Sequence, residues 1–283
     1  MTTTPEAYVH LSTDRTLHPL RFHRETLTFY YDTLRADRNG ETWKIRDKGY
    51  GYPPPLKRSD DYDRYEGPHT DARTVVFDAS FRDFRPTTTA RWFEGLNSLE
   101  SIEGLEHLNT SQVTDMSRMF SGCWSLTALD LSRFDTSKMT DMSCMFIGCE
   151  SLTALDLSSF DTSQVTCMVE MFSGCGSLTA LDLSSFDTSQ VMYMWCMFDG
   201  CASLTALDLS NFDTSQVTGL RWMFSGCESL TTIYCNSSWS ARDSDFMFSG
   251  CNSLRGAETN VGNSYDVSMA NPETGYFTKK VLS

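Results

Sequence analysis

Between residues 111 and 251 the apolar positions return in a fixed pattern. In the copy from 111 to 136 they are Val113, Met116, Met119, Phe120, Cys123, Leu126, Leu129, Leu131 and Phe134, set among Ser, Thr and Asp. The Met-Phe pair opens further copies at Met145, Met171, Met197 and Met223, a period of 26 residues, and a sixth at Met247, two residues early. A fixed period of this size means coils that bury an apolar side only against one another. Val113, Met116, Met119 and Phe120 lie at spacings of three, three and one, which reads as one stripe of a short helix. Thr110 or Ser111 is placed to cap it and Gly122 to end it. Leu126, Leu129 and Leu131 then follow the LxxLxL pattern of leucine-rich repeats. A strand is expected at Leu129-Asp130-Leu131, with the leucines inward and Asp130 outward. Phe134 packs inward, and Asp135-Thr136-Ser137 begins the next helix. The pattern predicts an α/β solenoid, right-handed, with a leucine-rich-repeat-like parallel sheet and one short helix per 26-residue coil.

The first 70 or so residues do not repeat. Ala7–Leu11, Glu25–Asp32 and Glu41–Ile45 are rich in β-formers and read as strands. Tyr50–Pro55, with three prolines, reads as a loop that the charged run Lys57–Glu66 continues. Such a segment would cover the open edge of the first coil, as terminal repeats must. Arg73–Ser80 reads as the first solenoid strand, and Phe93-Glu94-Gly95-Leu96 as a degenerate copy of Phe120-Ser121-Gly122-Cys123. The expected divisions are an N-terminal β cap at 1–72, a solenoid at 73–251 and a C-terminal cap at 252–283.

Charge narrows the partners. The net charge is −14, and residues 111–251 hold sixteen Asp and Glu against five Lys and Arg. Nucleic acid, which needs a basic footprint, is not an expected partner. No apolar run reaches the roughly 18 residues of a membrane span. The start, Met1–Glu6, lacks the basic and apolar regions of a signal peptide. Six of the ten cysteines, at 123, 149, 175, 201, 227 and 251, keep the repeat phase and read as core packing. Cys144, Cys167 and Cys196 fall elsewhere and are expected nearer the surface. So many free thiols suit a reducing or anaerobic setting.

Two outward surfaces follow. The sheet side carries an in-register ladder, Asp130, Asp156, Asp182 and Asp208, ended by Tyr234 in the fifth coil. It reads either as solvated surface held by neighbouring hydroxyls or as a groove for calcium or a basic ligand. On the helix side the positions between the apolar anchors change from coil to coil, and they include Tyr193, Trp195, Arg221 and Trp222. Exposed aromatics are enriched at binding hot spots, so these four are the expected partner-binding residues, with Tyr234 as the rival centre. A stack of Thr136, Thr162, Thr188 and Thr214 suggests ice binding, but the adjacent Asp135, Asp161, Asp187 and Asp213 count against it. The histidines are His10, His18, His23, His69 and His107, and none falls in a catalytic motif.

The repeat Met-Phe-x-Gly-Cys-x-Ser-Leu-Thr-x-Leu-Asp-Leu-Ser-x-Phe-Asp-Thr-Ser resembles that of the BspA-like leucine-rich-repeat surface proteins. The resemblance extends to Val76–Phe81, Ser101–Leu105, Ile233–Asn236 with Trp239, and Gly275–Thr278. It implies a bacterial surface or secreted protein of the adhesin type, with no enzymatic activity, and supplies no binding residues. The chain departs from it in showing no export signal, so a cytoplasmic location stays open. The function expected is a non-enzymatic recognition module for a protein or cell-surface ligand, with no cofactor beyond the calcium alternative. The alternatives are a cation-binding or purely structural solenoid, and a hydrolase built on the N-terminal histidines.

Overall fold

The computed structural model describes residues 4–14, 24–38, 41–45, 71–256 and 265–280. The expected loop at 50–55, the charged run at 57–66 and His18, His23 and His69 lie outside the described residues. Strand β1 (Glu6–Asp14) pairs antiparallel with β2 (Arg24–Asp32) and β3 (Glu41–Lys44). Strand β2 pairs parallel with β4 (Thr74–Phe77), and β4 parallel with β5 (Ser101–Glu103), giving the order β3-β1-β2-β4-β5. The sheet thus changes from a hairpin to stacked coils at β2. Alternation decides which residues make that join: Leu27 and Phe29 are buried, while Thr28 and Tyr30 are not. The Phe29 ring stacks on Phe77 at 4.6 Å and on Trp92 at 5.6 Å.

From there the repeats share one core. Phe93, Phe120, Phe146, Phe172, Phe198, Phe224 and Phe248 form a column with adjacent centroids 5.4 to 5.8 Å apart. Parallel columns of Met, Leu and Cys are buried around it. Each aromatic contact adds about 0.5–1.5 kcal/mol beyond the area it removes from water.

The helix expected in each coil is absent, and the described residues contain only short 3₁₀ turns and strands. A stacked ribbon takes its place. Alternate N–H groups donate to the next coil: Met116 to Asp141 O (3.4 Å), Arg118 to Ser143 O (2.9 Å), Phe120 to Met145 O (3.0 Å) and Gly122 to Ile147 O (2.7 Å). Between them Met119, Ser121 and Cys123 close turns onto the carbonyls of Met116, Arg118 and Phe120, each at 3.1 Å. From 118 to 123 each backbone donor therefore has a partner, half within the coil and half outside it. The arrangement needs a left-handed residue at Arg118 (φ 58°), and the column repeats it at Arg91, Cys144, Glu170, Cys196, Trp222 and Phe246. A right-handed helix does not pass through such a residue. A ladder of parallel bridges runs along the same side through Thr88, Asp115, Asp141, Cys167, Tyr193, Gly219 and Asp243.

The sheet expected at the leucines is also shorter than its pattern. Among the described residues only β6 (Ala206–Asp208), β7 (Thr232–Tyr234) and β8 (Phe277–Thr278) pair there, in that order and parallel. Leu207 lies in β6, but Leu129, Leu155 and Leu181 lie in no strand. Charge accounts for the boundary. Stacked strands sit about 4.8 Å apart, where like carboxylates repel. Asp130, Asp156, Asp182 and Asp208 follow one another at that step, and pairing begins where Asp208 meets Tyr234. Lys280 also reaches Asp208 and neutralises it.

Candidate partner-binding surface

The ribbon side positions the aromatic residues. Around 193 the side chains alternate: Tyr193 and Trp195 point to solvent while Met194 is fully buried. Tyr193 and Trp195 keep 37% and 39% of their surface in water, and Trp222 in the next coil keeps 39%. The Tyr193 and Trp195 rings lie 5.4 Å apart at an angle of 56°. Trp195 leans across the coil boundary onto Gly219, where an added Cβ would stand 3.1 Å from the indole. Arg221 stands one repeat after Trp195 and lies over the Trp222 ring, 4.4 Å from its centroid. It also pairs with Asp243 at 3.4 Å and Asp245 at 3.9 Å. Four of the five expected partner-binding residues are therefore neighbours on one ridge across coils four and five.

Two residues extend the ridge that the sequence reading passed over. Phe246 is 51% exposed and stacks on Trp222 at 6.1 Å, and Met192 stands exposed beside Tyr193. Phe246 sits one residue before Met247, as Trp222 does before Met223, so its place was readable from the sixth copy. Trp124 is exposed as well, but in the first coil and away from the ridge.

Tyr234 is not part of this cluster. It lines an open hollow of about 390 Å³ with Ala180, Leu181, Asp182, Ala206, Leu207, Asp208 and Lys280.

The aspartate ladder is held from within. Asp130, Asp156, Asp182 and Asp208 each accept the N–H of the serine two residues on, at 3.0, 2.9, 2.9 and 3.1 Å. The serine hydroxyl and N–H hold Asp130, Asp156 and Asp182 below the ordinary carboxylate range. Burial works against this at Asp208, but Lys280 and Ser210 outweigh it. Among the described residues no group of three or more His, Cys, Asp or Glu is arranged to hold a metal ion. The threonine stack is a joint, not a surface. Thr136, Thr162 and Thr188 are buried, and the Thr162 hydroxyl donates to Asp187 O at 2.8 Å and accepts its N–H at 2.8 Å.

All ten cysteines are free. The in-phase thiols lie against the phenylalanine carbonyls of the preceding coil, as Cys175 does on Phe146 O at 3.2 Å. Burial pushes the Cys175 thiol up to about 12. Of the three expected nearer the surface, Cys144 and Cys196 are buried and only Cys167 is partly open. The left-handed turn at 144 and 196 tucks these small side chains between coils, whereas Trp222 and Phe246 at the same step are too large to tuck in. His107 sits against Phe77 O at 3.0 Å, and His10 lies within β1.

Stacked 26-residue coils with one shared core and an exposed aromatic ridge define a repeat protein. The chain belongs to the family described as "Mycoplasma protein of unknown function, DUF285", which matches residues 87–182 and 153–263, together more than half of the chain. Among curated proteins none matches. Of solved structures, a leucine-rich repeat protein from Bacteroides ovatus ATCC 8483 is similar, with 17% identity, a TM-score of 0.38, and 87% of this chain and 68% of that one covered. Among the described residues no helix is long and apolar enough to cross a membrane.

Proposed function

We infer that this chain is a non-enzymatic protein-recognition module of the BspA-like leucine-rich-repeat type, acting at a bacterial surface or after secretion as an adhesin does. In this reading residues 1–72 and 252–283 cap a solenoid at 73–251, and the solenoid presents the ridge to a protein partner. One observation carries it. Five large apolar side chains, Met192, Tyr193, Trp195, Trp222 and Phe246, stand exposed together on three successive coils. Apolar surface gathered in this way marks interaction sites, and tryptophan and tyrosine with an adjacent arginine are the usual anchors.

The ridge is also where the copies differ, so it can carry specificity that the nearly uniform aspartate ladder cannot. The rival centre is the hollow at Tyr234. The test uses the full chain as bait in its natural environment, beside Trp195→Ala and Trp222→Ala variants. Both residues are exposed, so both variants should melt close to the parent. Captured partners should be lost, each truncation weakening binding by about thirtyfold, or about 2 kcal/mol. Retention of the same partners by both variants would move the surface to the Tyr234 side.

A further inference from the structure

We propose that the ridge is built for a cationic segment of a partner protein, with a lysine or arginine side chain seated on Tyr193 and Trp195 beside an acidic rim. The proposal rests on the ridge being the recognition surface and names what that surface takes.

Ring geometry comes first. Tyr193 and Trp195 meet at 56°, and each leaves more than a third of its surface to solvent. Gly219 keeps that angle. The other bridge-ladder positions carry Thr88, Asp115, Asp141, Cys167, Tyr193 and Asp243, and only the step that Trp195 covers has no side chain. The faces of Tyr and Trp attract cations through their quadrupoles. The ridge already shows this chemistry once, with Arg221 over Trp222. Arg221 is committed to Trp222 and to two aspartates, and among the described residues no cation lies over Tyr193 or Trp195.

Charge is the second, separate observation. Beside Trp195, the Cys196 thiol feels Asp199, Glu170 and Arg221, and that one arginine is already shared between Asp243 and Asp245, so four carboxylates gather around a single committed cation. Glu170 is tied to the Trp195 backbone, its N–H donating to Trp195 O at 3.0 Å, while its carboxylate accepts the Cys144 thiol at 3.3 Å. Burial pushes the Asp199 carboxyl up, and Glu170 beside it adds to the effect. A cation placed between these carboxylates and the two rings relieves that repulsion. A neutral sugar or a purely apolar segment would stack on the rings without using the rim.

The test titrates the full chain with acetylated, amidated peptides of sequence Ser-Lys-Ser-Lys-Ser-Lys, their arginine and glutamate counterparts, and cellohexaose. Tryptophan fluorescence is the readout. The lysine and arginine peptides should bind and the glutamate peptide should not. Raising salt from about 50 to about 500 mM should weaken binding about tenfold. Trp195→Ala should weaken it about tenfold or more, and Glu170→Gln with Asp199→Asn about threefold or more, at unchanged melting temperature. An Asp156→Asn, Asp182→Asn variant should bind as the parent does.

If that ladder variant loses the peptides and Trp195→Ala keeps them, the cation site lies on the ladder and the proposal fails. Binding of the glutamate peptide or cellohexaose that Trp195→Ala abolishes would overturn the cationic class and leave the ridge as the recognition surface. Failure of the basic peptides to bind at all would also overturn the cationic class. Should Trp195→Ala misfold, Tyr193→Ala takes its place in each comparison.

Discussion

Glu170 shows what a single position carries. It holds φ at 55° with a full side chain, in a column of seven left-handed residues none of which is glycine. The left-handed region costs a non-glycine residue about 1–2 kcal/mol, least for short polar side chains and most for β-branched ones. Its N–H bonds to Trp195 O in the next coil, so the strain supports the ladder that carries the ridge. Glu170→Gly relieves the strain but loosens the unfolded chain by about 0.5–1 kcal/mol, so its melting temperature should stay level or rise slightly. Glu170→Val should lose about 1–2 kcal/mol or more, read as a drop of several degrees in thermal unfolding. A valine variant as stable as the parent would contradict the left-handed ribbon. Gly174 is left-handed as well, at φ 73°, and there a Cβ would only touch the Gly148 backbone at 3.4 Å, so its constraint is conformational rather than one of space.

At the level of the element, the leucine side of the coil reports a contest between pairing and charge. The Leu-Asp-Leu pattern suits a strand, yet among the described residues pairing appears at the step where Asp208 meets Tyr234 and not at the steps where aspartate meets aspartate. The aspartate–serine turn does not decide it, since Asp208 makes the same turn inside β6. Asp156→Asn with Asp182→Asn removes the charge, and asparagine still makes those turns. The double variant should melt somewhat higher than the parent at low salt, and the gain should shrink at about 1 M salt. Thermal unfolding at the two salt concentrations measures it. A gain independent of salt would show that repulsion does not set the sheet's limit.

For the whole molecule, each coil depends on its neighbours. The phenylalanine column runs from Phe93 to Phe248 and is joined to β2 through Phe29 and closed by Trp239 and Phe277. Stability is then close to a sum over coils and interfaces. So is its dependence on pH. Asp130, Asp135, Asp156, Asp182, Asp187 and Asp213 are all held below the ordinary 3.8 by hydrogen bonds from the serine two residues on. With the folded pKa below the unfolded one, the unfolded chain binds more protons as the pH falls. The stability they contribute is full above about pH 4 and is lost as the pH drops through the folded values. Asp199, pushed up mainly by burial, acts in the opposite sense, but it is one group against six. The melting temperature should therefore fall as the pH drops below about 4. A flat profile there would mean that these turns are no stronger than contacts in the unfolded chain.

The 26-residue period, the buried columns and the exposed positions of Tyr193, Trp195 and Trp222 were legible in the sequence alone. Which side chains face a shared core depends on their spacing, and spacing survives whichever way the backbone bonds. The backbone itself was not legible. Val113, Met116, Met119 and Phe120 bury one stripe equally well in a helix and in a stacked ribbon. The choice rests on whether each N–H finds a carbonyl four residues back or one about 25 residues ahead, and that is settled only when the coils stack. No glycine marks the left-handed column, and nothing local says that Gly219 lies beneath Trp195 or that Lys280 reaches Asp208 across 72 residues. These contacts gather the ridge on one side of the stack and leave Tyr234 on another, because tertiary stacking, not sequence distance, sets which residues are neighbours.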